Sequence, residues 1–140
     1  MGRGGVLSAL EGRCLCGGVR FEVTEPFFRT TFCHCTFCKQ ISGSYGTVSG
    51  LARTPAIRVL EGEEHLRSYT PEGGSAKTFC SVCGSNLFGG GWPESESSSV
   101  RLASFGLDFD QKPEAHTFMR SVAAWEVVAD DGLPRYDVRP

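Results

Sequence analysis

Seven cysteines stand in this chain and none stands alone. They fall as Cys14-x-Cys16, Cys33-x-Cys35-x-x-Cys38 and Cys80-x-x-Cys83. Thiols two or three residues apart in a turn can converge on one soft cation, and zinc is the usual occupant of thiolate-rich sites. The count is odd, which disfavours a full disulfide framework. The opening residues, MGRGGVLSALEGRC, carry only a short apolar patch and no cleavage-like site, so a reducing, cytoplasmic setting is expected.

A closed structural zinc takes four protein ligands, which leaves three of the seven. The natural division pairs the two-cysteine groups, Cys14 and Cys16 with Cys80 and Cys83. The second pair lies in FCSVCGSNLF, where Gly84 suits a knuckle turn. Cys33, Cys35 and Cys38 then form a three-thiolate site with one position open, the mark of a catalytic or ligand-exchanging zinc. Two zinc ions per chain are expected, the open one lost more readily and therefore partly empty in some preparations. His34 lies between two of these ligands and points the other way if the segment is extended, so it reads as a packed imidazole. His65 and His116 belong to no ligand-spaced group and read as structural or surface residues.

At 140 residues and 15.1 kDa the chain has room for one domain, with residues 1–10 loosely held and 11–140 forming a single zinc-binding unit. Apolar residues at 40% and charged residues at 21% exclude a disordered chain. No apolar run approaches the roughly 18 residues of a membrane span. Fourteen basic against 16 acidic side chains leave no nucleic-acid footprint. GVRFEVT alternates at period two, and FRTTFCHC, AIRVLEG, HLRSYT, AKTFC, SSVRLASF and HTFMRSV read as further short strands between glycine- and proline-rich turns. The expected fold is mainly β, a sandwich or related architecture with short helical turns, one of them near Thr36–Ile41. Ala123–Ala129 is the best remaining helical candidate, and Pro93–Ser99 reads as a mobile surface loop.

Three thiolates on Zn²⁺ carry a formal charge of −1. Such a site is a weak generator of hydroxide but accepts an incoming thiol well, because a coordinated thiol is deprotonated outright. A free thiol, with a pKa of about 8.5, is only slightly ionised at pH 7. A captured small thiol is thus poised to attack an electrophilic carbon, which points to carbon–sulfur bond making or breaking. Beside the cluster, Lys39 could balance the anionic zinc, hold a substrate carboxylate or lie solvated on the surface. Ser44 and Tyr45 could donate to a ligand or simply finish a glycine turn. Trp92, beside three glycines, reads as exposed and could wall a pocket, and Trp125, in an apolar stretch, reads as core.

LCGGVRFEV at 15–23, CHCTFCK at 33–39 with SGS at 42–44, and FCSVCGSNL at 79–87 carry a resemblance. So do FGLD at 105–108, PEAH at 113–116 and AWEVVADDGLPRY at 124–136. Together they resemble the glutathione-dependent formaldehyde-activating enzyme family, which includes centromere protein V. The resemblance implies a β-tent-like fold with a structural zinc on Cys14, Cys16, Cys80 and Cys83 and a catalytic zinc on Cys33, Cys35 and Cys38. It implies addition of glutathione to formaldehyde, a carbon–sulfur lyase activity. The family often has Arg after the third central cysteine, where this chain has Lys39, so a bidentate carboxylate contact is lost. The competing reading is a zinc-stabilised binding module without catalysis. A methionine sulfoxide reductase would need a separate catalytic thiol, and none remains.

Overall fold

Alternating apolar residues decide most of the chain. The structure, a computed structural model, describes residues 9–140. A small antiparallel sheet joins β1 (Leu10–Arg13), β2 (Arg20–Val23) and β5 (Ile57–Glu61) in that order. The larger sheet contains β3 (Arg29–Cys33), β4 (Thr47–Arg53), β6 (Leu66–Tyr69), β7 (Lys77–Cys80), β8 (Asn86–Gly89), β9 (Ser97–Arg101) and β10 (Ala115–Thr117). Its order is β10-β3-β4-β9-β8-β7-β6, antiparallel except where β10 runs parallel to β3. Residues 1–8 of the stretch expected to be loosely held lie outside the described residues, whereas Leu10 already opens β1.

The two sheets share one core. Phe21, Val23 and Ile57 from the small sheet pack with Ala52, Leu87, Phe88 and Val100 from the large one. Phe21 meets Phe88 edge-on, ring centres 4.9 Å apart. Each such side chain withdrawn from water contributes on the order of 1.5–3 kcal/mol, so this face holds the sheets together.

Four local expectations need correction. β1, β4 and β8 are not among the expected strands: β1 is short and mostly polar, and the apolar residues of the other two are interrupted by Gly50 and by the cysteine knuckle before Asn86. The expected mobile loop 93–99 instead leads into β9, where Ser98 is fully buried and its hydroxyl meets that of Thr54 at 2.7 Å. Residues 123–129 form no helix. Trp125, expected in the core, is 61% exposed.

The only α-helix among the described residues, α1 (Thr36–Ser42), follows directly on β3. Its N-cap is Cys35, whose sulfur accepts the Cys38 amide at 3.3 Å. Past β10 the chain loops round and runs parallel to that strand. His116 N–H donates to Pro134, Tyr136 N–H to His116 and Phe118 N–H to Val138, so this tail covers the sheet edge. The site residues thereby come within reach of a C-terminal segment.

Candidate metal centres

Two turns bring four thiols together. Cys14 leaves β1 and Cys80 ends β7, and each opens a tight turn that carries a second cysteine. The second turn is closed by Gly84 N–H donating to Cys80 O at 2.7 Å and Cys80 N–H to Ser85 O at 3.0 Å. Gly84 has φ of 79°, the left-handed conformation this knuckle requires and glycine adopts freely. The sulfurs of Cys14 and Cys16 are 3.5 Å apart, those of Cys16 and Cys80 4.0 Å, and all four lie within 4.8 Å of one another. Tetrahedral ligands on zinc at about 2.3 Å stand roughly 3.8 Å from each other, so this donor set fits such an ion. Val19 N–H donates to Cys14 Sγ at 3.2 Å and Gly18 N–H to Cys16 Sγ at 3.4 Å, contacts that favour the thiolate. The Ser85 hydroxyl lowers the Cys83 thiol to about 5.

Cys33, Cys35 and Cys38 come from a strand end, a helix cap and the first helical turn. Their sulfurs also lie within 4.8 Å of one another, and among the described residues no fourth cysteine, imidazole or carboxylate joins them. Hydrogen bonds from the Cys33 and Cys38 thiols hold Cys35 far below its ordinary value. The same contacts push the partners up, Cys33 through Cys35 and Cys38 through Cys33. The trio can hold a soft ion through three sulfurs.

His34 turns away from the thiols, as alternation predicts, and enters a buried polar chain. Its Nδ1 donates to Glu126 Oε2 at 3.0 Å, and its Nε2 meets His116 Nδ1 at 2.9 Å. His116 Nε2 in turn lies 2.8 Å from Asp131 Oδ2. Burial pushes the His34 imidazole down, against the pull of Glu126. Lys39 is neither solvated nor free. Its ammonium donates to the His34 carbonyl and lies 2.6 Å from Glu126 Oε1, which also accepts the Ala123 amide at 3.0 Å. Burial works to raise the Glu126 carboxyl, but Ala123, Lys39 and His34 together hold it below its ordinary value. His65, by contrast, lies at the surface 3.6 Å from Glu64.

The anticipated ligand contacts divide. Lys39, Ser44 and Tyr45 line one cavity of about 660 Å³ with Thr36 and Trp125, and Thr36 and Lys39 each adjoin a cysteine of the trio in sequence. Trp92 lies elsewhere, its ring 4.7 Å from Phe88 at the margin of the core. Trp125 takes the wall position instead, 5.7 Å from Tyr45. Sequence reasoning also missed Glu126, Arg101 and Lys77. Glu126, whose side chain shows no surface to water, follows an exposed tryptophan, and Arg101 alternates with core-facing Val100, which suggests solvent on its face of the sheet. That face is covered, and Arg101 and Lys77 are both buried.

This small two-sheet β domain brings together one group of four thiols and one of three, each of which could hold a metal ion. The chain belongs to the glutathione-dependent formaldehyde-activating enzyme family, whose model matches residues 9–121. A Halomonas elongata protein provisionally named as such an enzyme is 36% identical over 93 residues, which are 61% of this chain and 59% of that protein. The match thus spans less than two thirds of that curated relative. A crystal structure of a Rhodobacter sphaeroides protein shares the fold at a TM-score of 0.59 and 25% identity, covering 90% of this chain and 98% of that one.

Proposed function

We propose that the protein is a zinc-dependent carbon–sulfur lyase-like enzyme that adds a small thiol of the glutathione type to a small aldehyde such as formaldehyde, and reverses that addition. Family membership supports the reaction class. One observation carries the mechanism: Cys33, Cys35 and Cys38 converge without a fourth protein ligand among the described residues. Zinc there, when bound, supplies a soft position at which a thiol gives up its proton. In the addition a sulfur–carbon bond forms, the carbonyl π bond opens, and the proton released by the thiol ends on the former carbonyl oxygen. The reverse breaks the same bond and regenerates thiol and aldehyde.

The chain's own residues contribute position. β3 and α1 set the trio, and the Lys39–Glu126 pair ties α1 to the turn between Cys33 and Cys35. The 660 Å³ cavity falls in the size range of small-molecule sites, and Ser44 and Tyr45 offer it hydroxyl groups. The four-cysteine set acts as the structural zinc site of one domain over 11–140, working in the cytoplasm.

The test is exchange NMR on an equilibrium mixture of glutathione, formaldehyde and their adduct. The protein accelerates interconversion above the uncatalysed rate, Cys35→Ser abolishes the acceleration with the fold retained, and Cys14→Ser unfolds the chain. Interconversion at the uncatalysed rate with both metals bound contradicts the proposal.

A further inference from the structure

Two cations lie buried against the three-cysteine site without a carboxylate to answer them. Arg101 is 8% exposed and sits on β9 beside β4. Its Nη1 donates to Ser49 Oγ at 2.9 Å and to the Thr47 and Ser99 hydroxyls at 3.4 Å, and its Nε donates to Asn86 Oδ1 at 2.5 Å. Every one of these acceptors is neutral. Thr47 stands opposite Cys33 in the β3–β4 ladder. The guanidinium thereby reaches the residue paired with the first cysteine of the trio.

Lys77 is 7% exposed, with its ammonium 5.8 Å from the centre of the Phe37 ring. Phe37 lies on α1 between Cys35 and Cys38, and the ammonium donates to Ser75 O at 3.3 Å. Among the described residues neither Lys77 nor Arg101 has a carboxylate within ion-pair distance. Burial pulls the Arg101 guanidinium down from its ordinary value, and the charges opposing that pull are those of Cys38, Cys33 and Cys35.

A buried cation facing neutral groups alone is expensive, so negative charge is expected to form beside it. A zinc ion with three thiolates carries −1, and a fourth thiolate brings the total to −2. Arg101 and Lys77 cancel −2, but they leave one positive charge uncompensated if the fourth ligand is neutral. We propose that Arg101 and Lys77 are the counter-cations of the three-cysteine site and make its open position select a thiolate over water. The inference rests on the reading of that trio as an open metal site.

The test loads the full chain with cobalt(II), whose sulfur-to-metal absorption reports each bound thiolate, and titrates 2-mercaptoethanol. Wild type shows a saturable rise. Arg101→Gln and Lys77→Met each weaken thiol affinity by about ten-fold or more, in the range outer-shell changes produce, and Arg101→Lys keeps most of it. Wild-type affinity in both Arg101→Gln and Lys77→Met overturns the proposal. Should Arg101→Gln fail to fold, Lys77→Met decides alone, because its side chain still packs on Phe37. If the wild type takes up no thiol, the enzymatic reading of the open position fails. A charge pair with no thiolate to select then has no role, and the proposal falls with that reading, whereas wild-type affinity in both variants removes the proposal alone.

Discussion

Glu126 shows no side-chain surface to water, yet three donors converge on its two oxygens. The Ala123 amide fixes the local turn, His34 brings in the strand that carries Cys33, and Lys39 brings in the helix that carries Cys38. A single carboxylate thereby fastens the C-terminal segment onto the cysteine loop. Glu126→Gln keeps the shape but leaves the Lys39 ammonium without its opposite charge. Denaturant unfolding is expected to show a loss of about 2 kcal/mol, in the range of charge-assisted hydrogen bonds, together with easier loss of metal from the trio. Unchanged stability and metal retention would remove Glu126 from this positioning role. The cysteines were legible in the sequence because ligand spacing is local. The fate of Lys39 was not, since its partner lies far along the chain and only the fold brings the two together. The tryptophans exchanged roles for the same reason: an apolar stretch says nothing of which neighbour, Trp125 or Glu126, turns inward.

At the scale of elements, the cysteine groups work because strands end where they do. Gly46 precedes β4 at the point where it meets Cys33, and a Cβ there would lie 2.0 Å from the Cys33 carbonyl oxygen and 3.2 Å from His34 Cα. Both obstacles are backbone, so neither can swing aside. Gly46→Ala is expected to destabilise by about 1–3 kcal/mol as an overpacked site, with loss of metal from the trio in chelator competition. Gly84→Ala meets open space but must hold a left-handed backbone, at about 1–2 kcal/mol, and its effect falls on the four-cysteine set. If Gly46→Ala binds metal as wild type does, the close β3–β4 approach does not shape the trio. Most strands were readable from alternation. β4 was not, because Gly50 stands where a Cβ would meet the Phe27 ring at 2.4 Å, so close packing rather than side-chain pattern defines that strand.

Across the whole molecule the buried charges fix the pH response. Glu126 is held below the ordinary carboxylate range, as is Asp131 by His116, and burial depresses the His34 imidazole. Each of these groups takes up its proton more readily in the unfolded chain, so stability rises with pH across its window. The melting temperature is expected to hold from pH 8 to 7 and to decline below about 6.5 as His34 must charge. A second decline follows below about 4 as the carboxylates protonate. Proton competition for the thiolates acts in the same direction, and Glu126→Gln should reduce the lower decline. A melting temperature flat from pH 7 to 4 would contradict this assignment. The two-sheet architecture was foreseeable in class but not in order, since strand sequence alone does not say that β10 returns beside β3.

Zinc content per chain before and after mild chelation separates a closed site from an open one. Protein purified without chelator is expected to carry two zinc ions, falling to one as the three-sulfur site empties while the four-cysteine site keeps its ion. A single resistant zinc from the outset, or two lost together, would contradict a closed site standing beside an open one.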